Sequence, residues 1–405
     1  MYINNKDGTF SDKIKQNTKQ VSFFGMGVDI ADVNNDNLKD IFVLDMASSD
    51  HVRSKTLMAS MSVSNFDLLT KKLNLPYQYM FNSLQLNMGD SKFHNIAQVS
   101  GLSKTDWSWA GLIFDYNNDS NEDIYITNGY RKYASDNDSR IKINKIKQQY
   151  NNRVPLKIKE DLYNMLPSEK LANILYENNG TLKFNDVTSY SDLNQPSYSN
   201  GAAYADLDND GDLDLVINNI DQEAFLFKNN SIENNKGNFL KIKLNGVLSE
   251  SFAKVSISYD GRYKTKESKR VRGYLSSVDE DIHFGLGEKN SVDSVEVLWN
   301  SGKSEVKYLN DINQTIVFNE NDAKNIKSLY FVSYARTLLP LFGQHIIDVI
   351  LGFSDGGTKL PTFIAKFIVA DTLLKELIIA AGLILLLAVF RAVFIFLRRW
   401  TSAYF

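Results

Sequence analysis

Three times in this chain a phenylalanine is followed 22 residues later by an aspartate that opens an acidic loop: Phe10 and Asp32, Phe93 and Asp115, Phe184 and Asp206. A spacing kept in three copies implies one supersecondary unit repeated along the chain. Each copy is too small to bury its own apolar face and must stack on its neighbours. Each opens with an apolar run broken by Asn and Gly, at 1–10, 84–93 and 175–184, and that turn chemistry predicts a tight hairpin. A strand of small residues follows (25–28, 110–113, 201–204), then the acidic loop, then an apolar strand (41–44, 124–127, 215–218). Hairpin, strand, loop and strand are the content of one propeller blade. The reading is therefore a mainly β chain whose residues 1–235 form a partial β-propeller.

The loops recur 83 residues apart (Asp32 to Asp115) and then 91 apart (Asp115 to Asp206), more than the roughly 40–50 residues of ordinary blades. The excess lies at 50–79 and 131–174, both read as insertions on the rim. The second is helical in pattern, with Ile141, Ile143 and Ile146, and then Leu162 and Leu166. Beyond Asn230 the pattern changes to alternating strands, with turn signals at Asp260-Gly261 and Ser301-Gly302. That predicts a separate small β domain over 236–320, followed by a polar linker at 321–328.

The acidic loops carry the chemistry. The first offers Asp32, Asn34, Asp36 and Asp40, the second Asp115, Asn117, Asp119 and Asp123, and the third Asp206, Asp208, Asp210 and Asp214. Oxygen donors thus fall at positions 1, 3, 5 and 9 of each, and the backbone carbonyl of position 7 (Leu38, Asn121, Asp212) can add another. Calcium takes six to eight hard oxygen ligands, and carboxylates crowded this closely repel one another unless a cation joins them. An EF-hand needs a glutamate at position 12 between flanking helices, and that position is Val43, Ile126 and Ile217 inside apolar strands. The plain alternative is an Asx-rich turn without metal. Gly211 makes the third loop the strongest candidate, because Asn37 and Ser120 stand at the equivalent sharp turn.

Other chemistries find less support. There is no cysteine, so disulfides, thiolate metal sites and cysteine nucleophiles are excluded. The net charge of −3 gives no global basic bias toward nucleic acid. Four histidines lie scattered without metal-ligand spacing, and no catalytic constellation stands out, so the chain reads as a non-enzyme. The basic run Lys264, Lys266, Lys269, Arg270 and Arg272 reads as a solvated strand edge. Trp107, Trp109 and Tyr130 are rings that can stack on sugars or pack between blades.

These modules resemble FG-GAP/VCBS repeats, which build calcium-binding propellers in secreted and surface proteins. The 236–320 region resembles the ASPIC/UnbV domain through Arg272-Gly273-Tyr274-Leu275-Ser276-Ser277, His283-Phe284-Gly285-Leu286-Gly287 and the segment from Val292 to Trp299. The resemblance implies an exported, calcium-dependent scaffold for adhesion to glycan or surface protein, on the outer surface or in the periplasm of a bacterium. It implies no catalysis.

The tail differs in kind. Residues 377–397 form an apolar run interrupted only by Arg391, long enough to cross a hydrocarbon core of about 30 Å. Arg398, Arg399 and Trp400 follow as a positive, aromatic edge. Residues 329–405 are thus expected to be a helical, membrane-embedded tail that contacts lipid through 377–397. Segments 337–343, 346–352 and 377–399 resemble the first two transmembrane helices of ABC exporters, which gives an alternative reading as a transporter fragment fused to a repeat domain. No G-x-x-x-x-G-K-[ST] occurs, so the chain offers no ATP site of that type. Residues 1–5 enter a repeat directly, without a basic and then apolar leader.

Overall fold

The computed structural model describes residues 1–56, 62–234, 236–246 and 251–325, which lie within one compact unit, Met1–Ile326. The expected membrane segments 329–352 and 377–397, with their exporter-like motifs, lie outside the described residues. Among the described residues no helix is long and apolar enough to cross a membrane.

The chain opens with a hairpin, β1 (Tyr2–Asn4) and β2 (Phe10–Asp12), a helical turn α1 (Ile14–Asn17), and β3 (Gln20–Ser22). Strands β4 (Val28–Ala31) and β5 (Asp40–Val43) begin the first blade-like sheet. The chain then leaves it through β6 (Met46–Ala47), α2 (His51–Thr56), α3 (Val63–Asp67), a π-helical turn at Leu68–Lys72, and β7 (Tyr77–Tyr79), which pairs in parallel with β3. It returns in β8 (Ser83–Asn87) and β9 (Phe93–Asn95), giving the order β4-β5-β8-β9.

The second sheet takes β10 (Asp106–Phe114), β11 (Asp123–Asn128), β12 (Ile174–Asn178) and β13 (Phe184–Asp186), with β6 paired to the far edge of β10. Its insertion holds α4 (Asn137–Gln149) and α5 (Leu156–Asn164), joined by a small apolar cluster of Ile143, Val154 and Leu162. The third sheet is β14 (Ser199–Ala205), β15 (Asp214–Asn219) and β16 (Phe225–Phe227). All three are antiparallel meanders in a propeller-like arrangement.

The sequence module is not the sheet. Each hairpin was expected to lead its own blade. Instead β8–β9 and β12–β13 close the sheet begun by the preceding loop, and the small-residue strands β10 and β14 start the next one. The hairpin strands continue the meander from β5 and β11 across the insertions, so the repeat read along the chain straddles two sheets.

Strand alternation then explains the core. One face of the second sheet (Ile113, Ile124, Ile126, Tyr176) packs on Phe42, Leu84 and Leu86 of the first. Its other face (Leu112, Phe114, Tyr125, Leu175) packs on Tyr204, Leu215 and Ile217 of the third. A strand buried on both faces loses its polar alternation, and every residue of β11 is buried.

The second β region is a sandwich. One sheet is β17 (Asn238–Asn245) between β22 (Ile282–Gly287) and β25 (Gln314–Asn319), β17 and β25 being parallel. The other has the order β19-β18-β23-β24-β26, from β18 (Lys254–Tyr259), β19 (Arg262–Glu267), β23 (Ser294–Leu298), β24 (Lys303–Tyr308) and β26 (Lys324–Asn325). A mini-hairpin, β20 (Val271–Arg272) and β21 (Ser276–Ser277), projects between them in sequence. Leu240, Val255, Ile257, Phe284, Val297, Trp299 and Phe318 fill the core. At the turn of β18–β19 both Asp260 and Gly261 have positive φ, 51° and 70°, as a two-residue hairpin of matching twist requires. The stretch expected as a linker begins inside this sandwich. Ala323 is buried in the core and β26 pairs with β24; a two-residue polar strand is too short to leave a periodic signal.

Candidate metal centre at the acidic loops

The loops join β4 to β5, β10 to β11 and β14 to β15, and they share one backbone. Position 4 is left-handed in each (Asn35 φ 58°, Asn118 φ 57°, Asn209 φ 61°), and so is position 6 (Asn37 φ 66°, Ser120 φ 76°, Gly211 φ 102°). Asn tolerates this region because its short side chain bonds locally. The position-5 carboxylate accepts the N–H of position 7 each time: Leu38 to Asp36 at 2.8 Å, Asn121 to Asp119 at 2.7 Å, Asp212 to Asp210 at 3.2 Å.

Position 9 is a staple. Oδ2 of Asp40, Asp123 and Asp214 accepts the N–H of position 2 (Val33 2.9 Å, Tyr116 3.2 Å, Leu207 2.9 Å). Oδ1 accepts the N–H of an asparagine on or just beyond the third strand, Asn87, Asn178 or Asn229, at 2.8 Å in every case. Those asparagines give their amides to the carbonyls of Lys39, Glu122 and Leu213. Asn178 and Asn229 also reach the preceding loop, at Val33 O (2.8 Å) and Tyr116 O (2.7 Å). Sequence reading missed these residues because the insertions vary their distance from the loop.

In the first two loops the position-1 carboxylate is also engaged by backbone. Asp32 accepts from Asn34, Asp36 and Asn37, and Asp115 accepts from Asp119 at 3.1 Å and Ser120 at 2.8 Å. Burial raises Asp32, lifts Asp40 to about 6 and Asp115 to about 7, and drives Asp123 well up. The third loop differs. Asp206 Oδ2 meets Lys241 Nζ at 3.1 Å, while Asp206 Oδ1 and Asp212 Oδ1 are buried with no hydrogen-bond donor. One carboxylate oxygen from each of Asp206, Asp208 and Asp210 lies within 4.8 Å of the others, and the same holds for Asp210, Asp212 and Glu233. Burial pushes Asp212 up to about 7, with Asp210 adding repulsion. In the first loop only Asn34 Oδ1 is left without a partner in this way. Buried, unpartnered hard oxygens among clustered carboxylates suit calcium, and the third loop fits it best.

The sandwich covers this loop-bearing side. Its backbone lies on the second loop: Gly287 N donates to Asn118 O at 2.7 Å, and Ser120 Oγ donates to Gly285 O at 2.6 Å. A Cβ on Gly285 would stand 2.0 Å from Asp115 Oδ2 and 2.7 Å from Asn118 Cα. Gly285→Ala is therefore expected to destabilise the chain by about 3 kcal/mol, at the upper end of overpacking costs, read as a lower denaturant midpoint. His283 Nε2 meets Asn118 Oδ1 at 2.6 Å. Burial, reinforced by Lys266, pushes the ring down to about 3, so it is neutral and Nε2 donates.

Of the basic run expected at a solvated edge, Lys264, Lys266 and Arg272 instead point inward, while Arg270 stays exposed. Lys264 and Lys266 both reach Glu122, at 3.0 and 2.6 Å, with Lys264 and Glu122 fully buried. Burial opposes ionisation of Glu122, yet Lys266 and Lys264 outweigh it and hold the carboxyl at about 2. Trp107 and Tyr130 stack on each other at 3.6 Å, and Trp109 packs against Tyr274.

Two family models match parts of the chain. An FG-GAP-like repeat model matches residues 161–217, from α5 through the third loop to β15. A model described as ASPIC and UnbV matches residues 253–325, from β18 to β26. No curated protein gives a significant match.

Proposed function

We propose that this chain is a calcium-stabilised, non-catalytic binding scaffold that works outside the cytoplasm in contact with glycan or protein surfaces. The FG-GAP-like and ASPIC/UnbV matches support a repeat-type extracellular scaffold. The observation that carries the calcium reading is the third loop, where buried carboxylate oxygens of Asp206 and Asp212 have no donor. Asp206, Asp208, Asp210 and the Asp212 region would hold the ion there. Asp214 and its counterparts Asp40 and Asp123 chiefly fasten the loop to its sheet. Because the sandwich bonds the first two loops at Asn37, Asn118 and Ser120, the cation acts on architecture, and ligand contact falls to other surfaces. Anchoring through 377–397 rests on the apolar sequence of that segment.

Thermal unfolding of the full chain tests this. A ligand bound only by the folded state adds about 2.7 kcal/mol when its free concentration is about 100 Kd. Excess calcium over chelator should raise the melting temperature by several degrees, and Asp208→Asn/Asp210→Asn should lose most of that rise. An unchanged melting temperature would leave the loops as Asx turns.

A further inference from the structure

We propose that Asp210, Asp212 and Glu233 form a second divalent-cation site beside the Asp206/Asp208/Asp210 triad, and that the Lys228 ammonium competes for both. This rests on the cation reading of the third loop. Glu233 lies outside the loop, beyond β16, yet its carboxylate joins Asp210 and Asp212 within 4.8 Å. Asp212 is fully buried, and one of its oxygens accepts Ile232 N at 2.9 Å. The other, Oδ1, has no donor although it sits among carboxylates. Such a buried, unpaired acceptor requires a proton or a cation.

Lys228 occupies the mouth of this cluster. Its Nζ lies 2.6 Å from Asp208, 2.8 Å from Glu233 and 3.4 Å from Asp210, so it touches both triads at once. The side chain is half exposed and can swing into solvent when a divalent ion enters. Hard carboxylates bind calcium in proportion to their number and charge, so removing the competing ammonium must tighten binding and removing Glu233 must weaken it. The first two loops provide an internal contrast, because among the described residues neither pairs an ammonium group with its position-3 or position-5 side chain.

Calorimetric titration of the full chain with calcium chloride decides the matter. Lys228→Met is expected to tighten binding at the third loop by about tenfold. Glu233→Gln is expected to remove one calcium equivalent and leave the remaining sites at wild-type affinity. Asp208→Asn serves as the control for the first triad. If Asp208→Asn weakens binding while Glu233→Gln and Lys228→Met give wild-type isotherms, the second site is refuted and the scaffold reading stands. If wild type takes up no calcium, both fail. Melting in chelator is recorded for both variants, so a fold defect would be seen separately from a change in calcium uptake.

Discussion

Replacing Arg272 by alanine is expected to destabilise the chain by about 3–5 kcal/mol, the cost of breaking a buried ion pair from one side. Arg272 projects from β20 into the three-sheet arc. Its guanidinium forks onto Asp29 at 2.8 and 2.7 Å, donates to Ile113 O at 2.8 Å and reaches the Tyr204 hydroxyl. One side chain therefore ties the sandwich to all three sheets. Asp29 is completely buried and also receives Ile113 N at 2.8 Å. With the guanidinium gone, Asp29 would keep a desolvated charge. Lysine cannot rescue the site, because a single ammonium lacks the planar fork that meets Asp29 and Ile113 together. Chemical denaturation of Arg272→Ala and Arg272→Lys should show both midpoints well below wild type, and a loss under about 1 kcal/mol would mean the hairpin is not the tie described.

Glu122→Ala should have an effect of similar size for the mirrored reason. It leaves Lys264, 3% exposed, and Lys266 without their common carboxylate. Lys264 also donates to Ser120 O at 2.8 Å, so its amine cannot simply withdraw without stripping the second loop. The expected loss is about 3–5 kcal/mol. Replacing Lys264 with methionine in the Glu122→Ala background should recover part of it, since an apolar side chain carries no desolvated charge. Two variants that add their losses independently would contradict the shared network.

Much of this was legible in the sequence. The three loops stand at the same junction of three successive sheets because their spacing reports a repeated unit, and a small-residue strand and an apolar strand flank each one. Asn35, Asn118 and Asn209 occur where a left-handed residue is required. The phase of the repeat was not legible, because a meander can be cut at any strand and the pattern is the same. The role of position 9 was hidden for another reason. An aspartate in an acidic loop looks like a ligand until its backbone partners are seen, and Asn87, Asn178 and Asn229 lie 47, 55 and 15 residues from those aspartates. Lys264 and Lys266 read as a solvated edge because strand alternation says which side chains share a face and not which face is covered. Gly285 carried a readable signal in His283-Phe284-Gly285-Leu286-Gly287, and its reason is the second loop lying against it.

The claim that ionised loop carboxylates await a cation has a direct test in pH. Asp212 and Asp115 rise to about 7 and Asp40 to about 6, chiefly through burial, above the unfolded value of about 3.9. A carboxyl raised on folding adds stability when protonated, fully below about pH 4, and that contribution disappears as pH rises through the folded value near 6–7. In chelator, stability from these groups should therefore fall between about pH 4 and about pH 7. Calcium binds the ionised form at the third loop and should cancel the part of the fall that Asp212 contributes. The measurement is the calcium-induced change in melting temperature of the full chain at pH 5.5 and pH 8.0. The account predicts a clearly larger rise at pH 8.0; an equal or larger rise at pH 5.5 would contradict it.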